Sequence, residues 1–361
     1  MFDNVSRREF ISGISATALA TVYPSDFLSA FEDRTNSSKE LSLLKPKALK
    51  QGDTIAIIAP ASGVYEREDV QIAKELIESL GFKAVLGKNI FNAYGYLAGS
   101  DANRASDVNE MFRRKDIDGI ICLRGGWGSM RILPMLDYTM IRENPKVFMG
   151  YSDITSLLLA LYKYSGLVTF HGPVAESTYN EYTMEYLKKA IFTPQTIGVL
   201  KNPPLKSDER VNRNNRIIKL GKGKASGILV GGNLSLLVST LGTPFEVDMK
   251  GKILFIEEIG EEPYRVDRML SHLWLGGKLQ ELAGLVFGKF TDCVPSEYKP
   301  GFINTLSIEE ILRTRVEPLG VPALYGYSFG HIKDKITLPL GVKATIDADA
   351  QLLTIDENAV V

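Results

Sequence analysis

From Gly52 onward, apolar positions alternate between two rhythms. Short continuous apolar runs, Asp53–Ala59, Phe82–Leu86, Asp118–Leu123 and Val147–Met149, read as strands buried on both faces. Between them, apolar residues recur at helical spacing. Val70, Ile72, Ala73, Leu76, Ile77 and Leu80 form one such set, closed by Gly81 as a C-terminal cap. A second runs from about Ala102 to Arg113 with Arg and Asp outward, a third from Ile132 to Leu136, and a fourth through Ile154, Leu157, Leu158 and Leu161. Strands alternating with helices predict an α/β fold on an open parallel sheet. The rhythm loosens between about 180 and 225, where Phe192-Thr-Pro-Gln-Thr, Asn202-Pro-Pro and the polar run Ser207–Arg216 interrupt it. This places a linker at 201–226, between an N-terminal α/β domain at 46–200 and a C-terminal β-rich domain at 227–361. The second domain is expected to hold strands Gly227–Val230, Lys252–Glu257 and Leu285–Lys289 and a helix through Leu234, Leu237, Val238 and Leu241. It closes with a β-hairpin of Lys335–Leu338 and Lys343–Asp347.

The N-terminal segment follows neither rhythm. Arg7-Arg8 precede a weakly apolar stretch, Ile11–Val22, rich in Ala, Ser and Thr. This reads as a twin-arginine-type signal peptide over 1–30, followed by a polar linker over 31–45; a plain amphipathic helix is the other reading. The apolar stretch is too short and too polar to span a bilayer, so no stable membrane insertion is expected. The mature protein is placed in the periplasm or cell envelope.

Composition narrows the function classes. The 361 residues are 45% hydrophobic and 24% charged, with a net charge of -1. That is ordinary globular composition, with no basic surplus for a nucleic-acid partner. Two cysteines, Cys122 and Cys293, make no disulfide scaffold; Cys122, inside an apolar run, reads as a buried thiol. The three histidines, His171, His272 and His331, lack zinc-site spacing, so no metal and no cofactor is expected.

In open α/β sheets, functional groups gather at the carboxyl ends of strands. Four such ends carry polar or glycine-rich residues: Arg124-Gly-Gly-Trp-Gly128, Ser152, Glu257-Glu258, and Gly330-His331. At Gly150-Tyr-Ser152 a strand turns at once into a helix, which lifts a hydroxyl clear of the sheet beside the first helical amides. That is the setting of a nucleophile, although Ile154 stands where a glycine completes the nucleophile-elbow motif. Taken alone, Ser before an apolar helix is more often an N-cap. A serine nucleophile needs a base, and the base needs an orienting carboxylate. His331, on a glycine-flanked turn, is the best-placed base. His272 falls inside a helix with Met269, Leu270, Leu273 and Trp274, and His171 lies in a turn that could line a cleft. The carboxylate is Glu257, Glu258, Glu261 or Glu262, unless these only cap the helix that begins near Arg265. The glycine loop suits an oxyanion hole or a phosphate cradle, and its spacing matches neither common nucleotide-binding glycine motif.

Six segments, in this order, resemble the LD-carboxypeptidase family of serine peptidases, which includes the microcin C immunity peptidases. They are Gly52-Asp-Thr-Ile-Ala-Ile-Ile-Ala-Pro-Ala-Ser62, Arg124-Gly-Gly-Trp-Gly-Ser-Met-Arg-Ile-Leu133, Gly150-Tyr-Ser-Asp-Ile-Thr155, Gly231-Gly-Asn-Leu-Ser235, Ile256-Glu-Glu-Ile-Gly-Glu-Glu-Pro-Tyr-Arg-Val-Asp-Arg-Met-Leu270, and Phe329-Gly-His331 with Leu338-Pro-Leu-Gly341. Each is weak alone; six in register are specific. The resemblance covers about Gly52 to Ile346. It implies an N-terminal flavodoxin-like sheet joined to a C-terminal β-rich α/β domain, with the active site at their junction and a homodimer as the assembly. It implies a catalytic triad of Ser152, Glu257 and His331, with the backbone amides of Gly126 and Asp153 as the oxyanion hole. The implied substrates are muropeptide tetrapeptides, cut between the L-centre of the diamino acid and the terminal D-Ala. Arg124 is a candidate for holding the terminal carboxylate and Trp127 for a further substrate contact; Trp127 stands where the family usually carries Tyr. Two other functions fit the same residues less well. One is a microcin-immunity-type peptidase acting on peptidyl or acyl adenylates; the other is a non-catalytic periplasmic muropeptide-binding protein.

Overall fold

The computed structural model describes residues 41–205, 210–212, 214–297 and 299–361. The signal expected at 1–30 and most of the linker expected at 31–45 lie outside the described residues. The first half of the chain supplies strands β1 (Thr54–Ile58), β2 (Lys83–Leu86), β3 (Gly119–Cys122), β4 (Val147–Gly150) and β5 (Thr169–His171). Helices α1 (Arg67–Ser79), α2 (Asp101–Arg113), α3 (Ser129–Ile132), α4 (Tyr138–Glu143), α5 (Thr155–Ser165) and α6 (Glu181–Ile191) connect or follow them. The five strands pair in parallel in the order β2-β1-β3-β4-β5, the flavodoxin-like arrangement. β3 and β4 are buried throughout, as their unbroken apolar sequences require.

The second half supplies β6 (Thr196–Val199), β7 (Ile218–Lys219), β8 (Lys224–Asn233), α7 (Leu234–Ser239), β9 (Ile253–Ile259), α8 (Pro263–Leu275), β10 (Gly284–Thr291), α9 (Ile308–Val316) and β11 (Ala323–Tyr325). Three further strands, β12 (Leu338–Leu340), β13 (Lys343–Asp347) and β14 (Leu352–Asn358), end the chain. The second sheet runs β6-β14-β13-β8-β9-β10-β11-β7. Its centre, β8 to β11, is parallel, and β7, β13, β14 and β6 run antiparallel at its flanks.

The expected hairpin of Lys335–Leu338 with Lys343–Asp347 is not formed. β13 instead pairs with β14 and β8, and β12 crosses to the first sheet, antiparallel to β5 with Leu338 opposite His171. Pro339 in β12 has no N–H to give, which an edge strand tolerates. The crossing matters, because it draws the segment carrying His331 back over the first sheet. The helix after Ser152 is the second anchor. In α5 every residue from Thr155 to Leu161 is buried, since it packs against β5 and β12 on one side and β8 on the other. Cys122 and Cys293 are both free and buried. Among the described residues no helix is long and apolar enough to cross a membrane.

Candidate active site

Ser152 leaves β4 with φ +63, a left-handed conformation that costs a non-glycine residue about 1–2 kcal/mol. Such strain persists only where the surroundings impose it. Here the buried β4 and α5 fix both sides of the turn. Ser152 is not an N-cap: the cap positions are Tyr151 for the 3-10 turn Ser152–Ile154 and Ile154 for α5, and neither uses a side-chain oxygen. Its Oγ has no hydrogen-bond partner among the described residues. The glycine loop packs directly on it. A Cβ at Gly125 would stand 2.9 Å from Ser152 Cβ and 3.2 Å from Oγ. At Gly126, with φ +107, a Cβ would run into Ser62, whose Oγ accepts the Trp127 N–H at 3.0 Å.

Asp153 ties the elbow to this loop. Its carboxylate accepts the Ser129 N–H at 2.8 Å, and its carbonyl accepts the Ser129 hydroxyl at 2.5 Å. Burial raises the Asp153 carboxyl pKa, and the Ser129 hydrogen bonds oppose that rise. These bonds hold the start of α3, which follows the glycine loop, against Asp153, and Gly126 and Asp153 line the same cavity as Ser152. The sequence signalled the amides but not this bracing role of the Asp153 side chain.

The other half of the chain contributes the candidate base, His331, and its carboxylate partner. His331 Nδ1 lies 2.7 Å from Glu257 Oε2, and Glu257 is fully buried. Burial pushes the Glu257 carboxyl up, but the charge and hydrogen bond of His331 outweigh it and hold the carboxyl below its ordinary value. The four candidate carboxylates separate cleanly. Glu257 and Glu258 are consecutive in β9 and point to opposite faces. Glu258 accepts hydrogen bonds from Asn233 Nδ2 at 2.7 Å and from the Ser235 N–H at 2.8 Å and hydroxyl at 2.7 Å. Glu261 pairs with Arg265 at 3.6 Å, and Glu262 accepts the Gly301 N–H at 2.7 Å. Asn233, at the end of β8, also donates its N–H to Thr155 Oγ1 at 3.0 Å, which stitches α5 to the second sheet.

Ser152, His331, Arg124 and Trp127 line a cavity of about 640 Å³, together with Asn233, Ser235 and Glu258. Arg124 Nε lies 3.6 Å from Glu176 Oε2 and makes no hydrogen bond. Trp127 is 71% exposed, at the mouth. His272 is exposed on α8. His171 corrects the expectation of a cleft-lining turn: it is the last residue of β5, 1% exposed, packed among Tyr151, Phe255 and Phe329 with neither ring nitrogen hydrogen-bonded. Burial drives its pKa down to about 4, so it is neutral. The sequence reading also passed over Tyr151, whose ring centroid lies 4.9 Å from that of His331, and Lys335 beside it.

Gly330 supplies a sharp test of this geometry. It sits at φ +110, and a Cβ there would stand 2.8 Å from Glu257 Oε2 and 2.9 Å from Glu257 Cβ. Gly330→Ala should displace the carboxylate from His331. Steady-state kinetics should show about a 100-fold loss of kcat, and a thermal melt a destabilisation of about 1–3 kcal/mol. Wild-type kcat in this variant would mean that the Glu257–His331 bond does not matter to turnover.

Comparison with known proteins places this geometry in context. The family models described as the LD-carboxypeptidase N-terminal and C-terminal domains match residues 55–172 and 226–346. A Bacillus subtilis protein named a probable murein peptide carboxypeptidase is 42% identical over 312 residues, covering 86% of this chain and 94% of its own. Two solved structures are similar throughout. One is a microcin self-immunity protein in complex with glutamyl sulfamoyl guanosine, 30% identical with a TM-score of 0.77, covering 88% of this chain and all of its own. The other is the muramoyltetrapeptide carboxypeptidase of Oxalobacter formigenes, 31% identical with a TM-score of 0.70, covering 85% and 99%. The chain belongs to the LD-carboxypeptidase family of serine peptidases.

Proposed function

We propose that this peptidase is an LD-carboxypeptidase that removes the terminal D-Ala from muropeptide tetrapeptides, with Ser152 as nucleophile, His331 as base and Glu257 as the orienting carboxylate. The observation that carries the reading is the convergence on one cavity of a strained serine and a histidine whose Nδ1 is already engaged by a buried carboxylate. With Nδ1 occupied, Nε2 is the nitrogen that takes the Ser152 proton as Oγ attacks the scissile carbonyl. Glu257 fixes the tautomer and stabilises the imidazolium that forms. The Gly126 and Asp153 amides receive the developing oxyanion, each lowering the barrier by about 3–4 kcal/mol. His331 then returns its proton to the departing amine of D-Ala, and water hydrolyses the acyl-enzyme. Arg124, which lines the cavity and whose Nε makes no hydrogen bond, holds the terminal carboxylate of the peptide, and Trp127 lines the same cavity. A passive muropeptide-binding protein would need neither the strained serine nor the Glu257–His331 pair.

The similarity to a self-immunity protein bound to a sulfamoyl nucleoside supports a second reading, cleavage of peptidyl or acyl adenylates. The two separate by kcat/KM measured on a muropeptide tetrapeptide and on an aminoacyl adenylate. A ratio in favour of the adenylate would replace the first reading. The Arg7-Arg8 pair before Ile11–Val22 supports export by the twin-arginine route to the periplasm or envelope, where that peptide substrate occurs, and the homodimer belongs to the same proposal. An Arg7→Lys/Arg8→Lys precursor that is still exported, or a mature protein that sediments as one chain, would remove the respective part.

A further inference from the structure

Glu257 poses an electrostatic problem that the triad alone does not solve. Its carboxylate is fully buried, and Oε1 has no hydrogen-bond partner. A buried carboxylate with no cation beside it draws a proton onto its nearest base. The nearest base is His331, which must be neutral to accept the Ser152 proton. A positive charge near the pair, but not on His331, opposes that pull and favours the neutral imidazole.

One stands on the ring that borders His331. Lys335 is 5% exposed, and its Nζ stands 4.2 Å over the ring centroid of Tyr151. The same ring meets His331 edge-on at 4.9 Å. Among the described residues the ammonium makes no hydrogen bond and no ion pair. It is held by its backbone: the Lys335 N–H donates to Thr183 Oγ1 at 3.1 Å, and that hydroxyl donates to the Lys333 carbonyl at 3.0 Å. These contacts pin the segment from His331 to β12 against α6. The charged and titratable groups around it are Glu257 from β9, His171 from β5, Tyr151 after β4, and His331 on its own segment; Glu176 and Arg124 act on Tyr151 from the loops beyond. Glu257 is the anion whose charge opposes the burial of this ammonium.

We propose that Lys335 is a positioning residue for the reaction: its ammonium, seated on the face of Tyr151, balances the Glu257 carboxylate while His331 is neutral, and so keeps His331 available as the base. The cation–π contact supplies the seat that hydrogen bonds do not. Burial lowers the Lys335 pKa to about 8, with Glu257 opposing the fall, so the charge is present at neutral pH. This inference rests on the assignment of His331 as base.

The test is the pH dependence of kcat/KM on a muropeptide tetrapeptide for the wild type, Lys335→Met and Lys335→Arg, with Ser152→Ala alongside. Removing a neighbouring positive charge stabilises the imidazolium. The acid limb in Lys335→Met should therefore move up by about one pH unit, a roughly tenfold loss below the limb, with the plateau little changed. Lys335→Arg should keep the wild-type limb. A limb that stays in place in Lys335→Met, or a loss by the same factor at every pH, overturns the proposal and leaves Lys335 a packing residue. If near-ultraviolet circular dichroism shows that Lys335→Met does not fold, Lys335→Gln carries the same test. An active Ser152→Ala would sink the triad itself; an inactive Ser152→Ala with an unmoved limb sinks only the role of Lys335.

Discussion

Ser152→Ala should lower kcat on a tetrapeptide by about 10⁴-fold or more while the protein still binds the peptide. The substitution removes only Oγ, and that atom makes no hydrogen bond that supports the fold. The melting temperature should therefore stay close to wild type, because the Cβ that faces Gly125 and the backbone conformation are both unchanged. Isothermal titration would report an affinity within a few-fold of the substrate's. A variant that retains turnover would show that another group attacks the carbonyl, and the strain at Ser152 would then need another explanation.

The second large effect is expected at Glu257. Glu257→Gln keeps the size of the side chain but loses the charge that fixes the His331 tautomer, and the expected cost is about 10⁴-fold in kcat. Linkage gives a companion result. Because the folded carboxyl is held below its ordinary value, its contribution to stability is fully present above the ordinary carboxylate range. It is lost as pH falls through the lowered folded value. Wild type should accordingly lose stability over that acid window, and Glu257→Gln should show a shallower acid dependence in the same melts. Equal pH profiles for the two proteins would mean that Glu257 is not ionised in the native state.

Much of the first sheet was legible because its strands are continuous apolar runs. β3 and β4 need no partner information to be recognised, and the glycine loop and Ser152 follow from where they end. The helix α6 falls where the sequence rhythm loosens, although Asn180 caps it by accepting the Thr183 N–H at 2.9 Å. Tyr182, Thr183 and Tyr186 obscure the periodicity. The β12 crossing was illegible for a different reason. A three-residue strand containing Pro339 carries no local signal, and its partner, β5, lies more than 160 residues earlier. His171 was misplaced with it, since β5 is as short. Among the site residues, those whose chemistry lies in a motif were found. Which of the four glutamates meets His331 depends on the face of β9, and the seat of Lys335 depends on the crossing, so neither could be read from local pattern.

The central claim is tested most directly by incubating the mature protein with a purified muropeptide tetrapeptide and following the products by mass spectrometry, with Ser152→Ala in parallel. The account predicts tripeptide and free D-Ala in equal amounts from the wild type, and intact tetrapeptide from the variant. Intact tetrapeptide from folded wild-type protein, or D-Ala released by both proteins, would contradict it.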